Sequence, residues 1–295
     1  MITRKTLPVA LTIAGSDSGG GAGIQADLKT FAALGVHGTS AIACLTAQNP
    51  RRVLGVEPCP PKMLRRQIEA VFEELPPAAV KTGMLFSAQN IAAVAKFFGH
   101  LPSSTLRPRL IVDPVMVSTS GAKLLAPAAI KVLTEKLLPP ATLVTPNLDE
   151  AQILAEQKIT APEKMRVAAR KIHSQYGCAV LLKGGHLKHS RMAIDVFFDG
   201  KTELLLSAPF VRGVSTHGTG CTYSAAICAA LARGHALPDA VEIGKNFITE
   251  AISDSYKIGR HFALGQCAGN FEVPLVAGRK NLPHSSHGHG CSCCS

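Results

Sequence analysis

The sequence predicts an α/β protein with a mostly parallel central β-sheet and helices on both of its faces. Apolar segments of strand length alternate along the chain with segments whose apolar residues recur at helical spacing. Each strand-like segment ends at or near Gly, Pro, Asp or Asn, and the set includes VALTIAG, AIACLT, AVKTGML, LIVDPVM, TLVTPN and AVLLKGGH. The helical segments between them include residues 61–75, 88–98, 124–138, 148–156 and 163–175. Regular strand–helix alternation favours crossover connections, which produce parallel strands covered by helices.

One segment departs from this alternation. The stretch AIDVFFDGKTELLLSAP places Asp-Gly between two apolar runs, which predicts a β-hairpin over residues 193–207. No linker rich in Pro, Gly or Ser divides residues 8–260, so we predict one domain over residues 1–270. Residues 271–295 include LPHSSHGHGCSCCS, lack apolar periodicity and are expected to form a disordered tail.

Composition narrows the class of partner. Hydrophobic residues make up 46% and charged residues 17% of the 295 positions, which is enough apolar material for a large core. The net charge of +11 favours anionic ligands such as nucleotides and phosphates. Aromatic residues at 5%, no tryptophan and scattered basic residues argue against nucleic acid, and no apolar run predicts a membrane helix. The nine cysteines and the lack of a recognisable signal peptide favour reduced thiols and a cytoplasmic location.

Polar motifs follow the strand-like segments. In chain order they are GSDSGGGAG, TAQN, KTGM, DPVM, TPNLDE and KGGH. In open parallel sheets, ligands bind outside the carboxyl ends of the strands. We therefore expect one site, assembled from many loops at one edge of the sheet.

The strongest local signal is STHGTGCTYSAAICAALARG, residues 215–234. Gly218, Thr219, Gly220 and Cys221 lead into a helix of small residues, where backbone N–H groups and the helix dipole can hold an anion. A tight turn that only permits close helix packing explains the same glycines. Cys221 is expected to have a lowered pKa at the helix start and to act as a base, whereas Cys228 is expected to fill the core.

The first glycine-rich segment, residues 15–30, matches neither a dinucleotide-binding fingerprint nor a P-loop. Its glycines still allow a ligand to approach the backbone closely. Asp27 follows about one helical turn after Gly23. Two roles remain open for Asp27, namely a hydrogen bond to a ligand amine or a solvated acid favoured by the helix dipole.

Charged residues at strand ends suggest a metal and phosphate site. Asp113 ends LIVDPVM, and Asn147 and Glu150 stand three residues apart in TPNLDE. Carboxylates facing a phosphate loop suit Mg²⁺, although Asn147 and Glu150 also fit a helix capping box. Lys183 is placed to neutralise phosphate oxygens, but a lysine there also fits a surface residue whose charge reaches solvent.

These motifs in this order make the chain similar to the hydroxymethylpyrimidine kinase/hydroxymethylpyrimidine phosphate kinase family. The resemblance covers about residues 8–258 and rests on GSD, GGAGIQAD, AQN, KTGM, DPVM, TPNLDE, KGGH and HGTGCT. It implies a ribokinase-like fold, a homodimer, and ATP and Mg²⁺ as cofactors. It also implies phosphorylation of the pyrimidine hydroxymethyl group and then of the monophosphate, as in thiamine biosynthesis.

The resemblance also assigns roles to individual residues. It implies an anion hole at Gly218, Gly220 and Cys221. The pyrimidine is expected to meet Gln48, with Asp27, Met84 and Val115 around it. The remaining roles fall to Asp113 and Glu150 for Mg²⁺, and to Lys183, Thr219 and Asn147 for the nucleotide. Near its end the chain reads KIGRHFALGQCAGNF, where the family pattern leads us to expect a Gly-Pro-rich segment before a closing His.

Three other functions fit parts of the sequence. Pyridoxal/pyridoxine kinase is the alternative within kinases, because that ring also carries a hydroxymethyl group. Cys221 together with Gln48 favours the pyrimidine. A non-catalytic ligand-binding protein is disfavoured by the combination of Asp113, Glu150 and Lys183. A Zn²⁺ site in the tail, at His284, His287, His289 and three cysteines, lacks a predicted scaffold.

Overall fold

The computed structural model describes residues 6–102, 107–117, 124–185, 192–211 and 217–267. Nine strands form the main sheet: β1 Val9–Asp17, β2 His37–Asn49, β3 Arg52–Pro58, β4 Ala79–Thr82, β5 Arg109–Val112, β6 Leu143–Val144, β7 Ala179–Lys183, β8 Met192–Phe198 and β9 Glu203–Pro209. The helices are α1 Gly23–Ala33, α2 Pro61–Glu74, α3 Ala88–His100, α4 Pro127–Val132, α5 Leu148–Ala155, α6 Pro162–Tyr176, α7 Thr219–Ala232 and α8 Leu237–Ser253. A π-helical turn, Leu133–Leu137, extends α4.

The sheet order is β3-β2-β1-β4-β5-β6-β7-β8-β9. The six strands from β2 across to β7 pair in parallel, while β3, β8 and β9 run antiparallel to their neighbours. The predicted mostly parallel sheet is therefore confirmed. Because the chain passes from β1 to β2 on one side and later enters β4 on the other, a crevice opens at the carboxyl ends of β1 and β4.

Helices cover both faces of the sheet, as the alternating pattern predicted. On one face, α2 to α6 pack against side chains such as Leu11, Ile13 and Val112. On the other face, α1, α7 and α8 pack against Ala10 and Ile111. Burial of two apolar layers is the main stabilising contribution in such a fold.

Helix α7 lies deep in the second layer. Every residue from Thr222 to Ala232 is buried, so the helix has no solvent-facing side. Its small side chains allow neighbouring elements to come close, and a Cβ at Gly244 of α8 would lie 2.6 Å from Ile227 Cγ1. This close packing holds the N-terminus of α7 firmly against the carboxyl edge of the sheet.

The predicted hairpin over residues 193–207 is confirmed by β8 and β9, which pair from Met192↔Pro209 to Phe198↔Glu203. Asp199 stabilises its turn, because its carboxylate accepts hydrogen bonds from the amides of Lys201 and Thr202. Helix α8 and two strand features were not among the named predictions. The strand features are the exposed edge strand β3 and a small antiparallel pair, β10 Tyr256–Ile258 and β11 His261–Ala263.

The predicted tail, residues 271–295, lies outside the described residues. Within the described ranges, no helix combines the length and the apolar character needed to cross a membrane. Six cysteines in those ranges are free thiols.

Candidate active site

Two adjoining cavities open at the carboxyl edge of the sheet. The larger one, of about 380 Å³, lies at the ends of β1, β2, β4 and β5 and is called the inner cavity here. The second, of about 200 Å³, lies between the β8–β9 hairpin and α8 and is called the outer cavity. Both are bordered by Asn147, Lys183, Thr219 and Gly220. The start of α7 therefore lies between the two cavities, at the point where they meet.

Eleven of the twelve residues predicted from the sequence line the inner cavity. They are Gln48, Met84, Asp113, Val115, Asn147, Glu150, Lys183, Gly218, Thr219, Gly220 and Cys221. They come from separate loops spread along most of the described chain, and the sheet edge brings them together. The twelfth, Asp27, is not on the cavity wall.

Gly218 is the N-cap of α7, and its backbone requires glycine. Its φ is +84°, and a Cβ would collide with the carbonyl oxygen of Gly21. A Cβ at Gly220 would lie 3.4 Å from Lys183 Nζ and 3.7 Å from Asp113 Oδ2. The first N–H groups of a helix have no partner within the helix. The α7 start thus presents such groups beside a lysine, which is a suitable environment for an anion.

Lys183 Nζ donates to Asp113 Oδ1 at 3.2 Å, and the lysine side chain is only 15% exposed. Asp113 is also held by the hydroxyls of Thr145 and Ser224, each 3.3 Å from one of its carboxylate oxygens. Burial alone would lower the pKa of Lys183, but the Asp113 and Glu150 carboxylates raise it above its usual value. Lys183 is therefore a charged residue of the site, and the surface-residue interpretation is wrong.

Of the two roles that the sequence allowed for Glu150, the capping box of α5 with Asn147 is confirmed, and the carboxylate is also on the wall of the inner cavity. Its Oε1 accepts from the Met116 amide and its Oε2 from the Asn147 amide, both at 2.9 Å. Burial raises the pKa of Glu150, Lys183 opposes that rise, and the nearby Asp113 carboxylate adds to it.

Asp113 and Glu150 are the residues to test against Mg²⁺. The described part of the chain contains no cluster of three or more His, Cys, Asp or Glu side chains that could hold a metal ion. Mg²⁺ usually takes only one or two carboxylates and completes its shell with water and substrate phosphates. Two carboxylates beside the α7 start fit that pattern. Both oxygens of each carboxylate already accept hydrogen bonds. Those of Asp113 come from side chains at 3.2–3.3 Å, which can turn away from a bound ion, whereas those of Glu150 come from backbone amides at 2.9 Å. Asp113 is therefore the better placed of the two.

The expectation that the α7 start lowers the pKa of Cys221 is wrong. Burial raises the pKa of this thiol to about 11, with Asp27 and Asp113 contributing in the same direction. Lys81 opposes the shift without cancelling it. Desolvation disfavours the thiolate more than the helix start favours it. Cys228, by contrast, is fully buried in the core as predicted.

Neither expectation for Asp27 is correct. Its side chain is completely buried in an ion pair with Lys81, whose Nζ lies 2.8 Å from both carboxylate oxygens. The Thr12 hydroxyl donates a third hydrogen bond at 2.7 Å. A carboxylate so enclosed contacts neither ligand nor solvent. The sequence pattern missed Lys81, which reaches the inner cavity from the end of β4.

Two further residues of the inner cavity, Asp17 and His217, were not singled out in the sequence. Asp17 ends β1, and its carboxylate accepts from the amides of Gly19, Gly21 and Ala22 at 2.8–3.1 Å. His217 Nε2 lies 3.2 Å from Asp17 Oδ2. An Asp followed by consecutive glycines is a recognisable turn signal, and it could have identified Asp17.

Backbone strain is concentrated at this site. Among the described residues, three non-glycine residues have positive φ, and two of them, Phe86 and Val115, line the inner cavity. Val115, with φ +45°, is β-branched, so the left-handed conformation is unfavourable for it. Strained backbone of this kind clusters at functional sites.

Helix-start amides, a charged lysine and carboxylates surround the inner cavity, which adjoins the outer cavity. This combination is that of a phosphoryl-transfer site. The chain belongs to the phosphomethylpyrimidine kinase family, whose model matches residues 17–265. A hydroxymethylpyrimidine/phosphomethylpyrimidine kinase of Rhizobium meliloti is 49% identical, over 85% of this chain and 94% of its own length. The thiamine biosynthesis bifunctional protein ThiED of Geobacter sulfurreducens is 47% identical over 85% of this chain, which spans 50% of that protein.

Solved structures of similar fold carry two names, pyridoxal kinase and phosphomethylpyrimidine kinase. An ADP complex of Bacillus subtilis pyridoxal kinase has a TM-score of 0.81 at 36% identity, covering 90% of this chain and 100% of the other. Phosphomethylpyrimidine kinase from Clostridium difficile 630 has a TM-score of 0.73 at 41% identity, covering 83% and 99%. The predicted ribokinase-like fold is therefore confirmed.

Proposed function

We propose that this protein transfers phosphate from ATP to 4-amino-5-hydroxymethyl-2-methylpyrimidine and then to the resulting monophosphate, in thiamine biosynthesis. One observation carries the proposal: the amides at the α7 start lie between two cavities, next to Lys183 and Asp113. The inner cavity takes the pyrimidine and the outer cavity takes the nucleotide. The phosphoryl group then moves between them across the start of α7.

The α7 start stabilises the group in transfer. Amides from Gly218 to Cys221 bind oxygens of the transferring phosphoryl, and Lys183 supplies a positive charge close by. Thr219 and Asn147 border both cavities and contact the nucleotide phosphates. Asp113 and Glu150 would hold Mg²⁺, which supplies charge neutralisation on the phosphates when bound.

The inner cavity recognises the ring. Gln48 offers an amide that both donates and accepts, which matches the edge of an aminopyrimidine. Met84 and Val115 supply apolar surface around it. In the first phosphorylation a hydroxyl attacks. In the second, a phosphate oxygen that is already ionised at neutral pH attacks and needs no base.

A pyridoxal kinase activity is the second candidate, because the fold superposes closely on an enzyme of that name. A coupled ADP-release assay with hydroxymethylpyrimidine, its monophosphate and pyridoxine distinguishes the two functions. We expect the pyrimidine and its monophosphate to give the higher kcat/KM. Higher kcat/KM with pyridoxine would replace the proposal by the second candidate, and no turnover with any of the three would favour a non-catalytic binder.

We also propose a homodimer that acts in the cytoplasm, with residues 1–270 as the kinase domain and residues 271–295 as a dispensable tail. Light scattering on the purified chain tests the dimer. Deletion of residues 281–295 tests the tail, and we expect unchanged activity and melting temperature. Zinc lost together with activity after deletion would show that the tail holds a metal site.

A further inference from the structure

Three polar side chains from distant parts of the chain converge in the inner cavity. Asp17 comes from the end of β1, Gln48 from β2, and His217 from the segment before α7. His217 Nε2 lies 3.2 Å from Asp17 Oδ2 and 3.3 Å from the Gln48 amide nitrogen. Asp17 and Gln48 are thus two polar neighbours of the same ring nitrogen, and the chemistry of Asp17 shows whether that nitrogen carries a hydrogen.

Asp17 is an acceptor in this group. Its carboxylate is already surrounded by the amides of Gly19, Gly21 and Ala22. Burial alone would raise its pKa, but the His217 hydrogen bond and the amides of Gly19 and Ala22 hold the pKa of Asp17 below its usual value. An ionised carboxylate has no hydrogen to donate. The bond between Asp17 and His217 therefore requires a hydrogen on His217 Nε2.

That hydrogen decides which atom of the Gln48 amide, the oxygen or the nitrogen, faces His217. A protonated Nε2 cannot accept from the Gln48 amide nitrogen, but its one hydrogen can be shared between Asp17 Oδ2 and a Gln48 carbonyl oxygen at that position. Amide oxygen and nitrogen have nearly the same shape, so their partners decide the orientation. With the oxygen toward His217, the amide nitrogen faces the Thr46 hydroxyl, at the position 3.3 Å from Thr46 Oγ1.

The hydrogen bonds of the Thr46 hydroxyl are compatible with this orientation of the Gln48 amide. Its hydroxyl hydrogen is directed to the carbonyl oxygen of Ser16 at 2.8 Å. The hydroxyl oxygen keeps lone pairs that accept from the Gln48 amide nitrogen. In this orientation, neither contact of the Gln48 amide brings two donors together. The opposite orientation would place two donors, His217 Nε2 and the Gln48 amide nitrogen, 3.3 Å apart.

We propose that Asp17 and His217 are positioning residues that set the direction of the Gln48 amide and thereby the orientation of the bound ring. The inference rests on the proposed function of the inner cavity. The free amide N–H on the Thr46 side donates to a ring nitrogen, and the Gln48 oxygen on the His217 side accepts from the neighbouring exocyclic amine.

The direction of the Gln48 amide matters for catalysis, because it determines where the hydroxymethyl group of the bound ring lies. On the pyrimidine, the ring nitrogen, the 4-amino group and the 5-hydroxymethyl group follow one another around the ring. If the amine lies on the His217 side, the hydroxymethyl group lies further in the same direction. His217 directly precedes the Gly218–Cys221 anion site. The fixed amide therefore turns the reactive hydroxyl toward the transferring phosphoryl group, whereas a reversed amide would turn it away.

The first test uses the ligand-free protein and does not depend on any activity. ¹⁵N-histidine labelling, with the His217 signals identified by their loss in His217→Phe, shows which ring nitrogen carries hydrogen. We expect a hydrogen on Nε2 of His217. An unprotonated Nε2 would overturn the inference, whatever the substrate of the enzyme proves to be.

The second test is a double-mutant cycle on binding of the hydroxymethyl aminopyrimidine, measured calorimetrically without nucleotide. We expect His217→Phe and Gln48→Leu each to weaken binding about tenfold or more. Because His217 acts through Gln48, the double variant should bind no more weakly than Gln48→Leu alone. Additive losses would mean that His217 acts independently of Gln48, and the inference would be dropped.

Controls separate orientation from folding. His235→Phe makes the same replacement at an exposed histidine and should leave pyrimidine binding unchanged. ADP affinity and melting temperature report whether His217→Phe is folded.

If His217→Phe is not folded, Thr46→Val provides a second variant. It removes the acceptor for the Gln48 amide nitrogen and should likewise have no added effect in the Gln48→Leu background. If the wild type does not bind the pyrimidine, the proposed function fails, while the ¹⁵N result still decides the orientation.

Discussion

Lys81 and Asp27 form an ion pair in which both side chains are fully buried, with Nζ 2.8 Å from each carboxylate oxygen. Lys81 is the last but one residue of β4, and Asp27 lies within α1, so the pair joins the sheet to the helix that covers it. Lys81 also reaches the inner cavity. The pair therefore connects the floor of the proposed site to the core.

Removing one member of this pair should be costly. We expect Lys81→Met to lower the free energy of unfolding by about 3–5 kcal/mol, because it leaves the Asp27 carboxylate buried without its cation. The double variant Lys81→Met/Asp27→Leu should recover most of the loss. Denaturant unfolding of the three proteins measures this difference. A double variant as unstable as Lys81→Met would show that the loss comes from packing and not from charge.

Cys221 should react slowly with alkylating reagents at neutral pH. Its raised pKa, about 11, means that the thiol form predominates below that pH and the thiolate fraction grows as pH rises toward it. The alkylation rate, followed by mass spectrometry of the Cys221 peptide, should still be increasing at pH 9. Exposed Cys267 is the internal control. A rate at Cys221 that levels off near pH 7 would contradict the raised pKa.

Because the thiol is protonated, Cys221→Ala should slow both phosphorylation steps by the same factor, below the roughly 10²-fold that a lost general base typically costs. The variant keeps the backbone amide, which is the part that contacts the phosphoryl group. Steady-state kcat/KM is measured separately for the hydroxymethylpyrimidine and for its monophosphate. A loss confined to the first step would restore the thiol as the base.

Asp113→Asn should alter the Mg²⁺ requirement more than Glu150→Gln does. Asp113 is the better placed ligand, because its hydrogen-bond partners are side chains that can turn away, whereas backbone amides hold both Glu150 oxygens. Glu150→Gln should instead weaken the capping box of α5 and lower stability by about 0.5–2 kcal/mol. Mg²⁺ titrations of activity and thermal melting give the two readouts. The reverse ranking in the Mg²⁺ titration would assign the metal to Glu150. Pyrimidine affinity should stay unchanged in Asp113→Asn, since the metal contacts phosphates.

The sequence predicted the fold well because apolar periodicity and strand-end motifs are local signals. The helix expected over residues 124–138 is shorter at its start, since α4 begins at Pro127, but it extends through the π-helical turn to Leu137. The edge strand β3 escaped detection because its residues are mostly exposed, so no burial pattern marks it.

Which residues form the site was also predictable from the sequence, but the burial and protonation of their side chains were not. Strand-end motifs located eleven of the twelve chosen residues on the inner cavity. The errors at Cys221 and Asp27 share one cause, namely burial by elements distant in sequence. Local position at a helix start could not reveal that Lys81 encloses Asp27 or that desolvation dominates at Cys221. Asp17 and His217 were missed for the same reason, because they meet 200 positions apart along the chain.

The contact between the Gly21 and Gly218 loops has a consequence for how the protein is made. The anion site at α7 is completed only when that helix reaches the loop after β1, and those segments lie about 200 positions apart in sequence. Contacts of such long range form late in folding, since the cost of closing the intervening chain must be met first. A ribosome-bound chain that lacks α7 therefore has no anion site. Nucleotide bound at that site would stabilise only the completed domain, so the cellular ATP pool would protect finished molecules and leave unfinished ones to quality control.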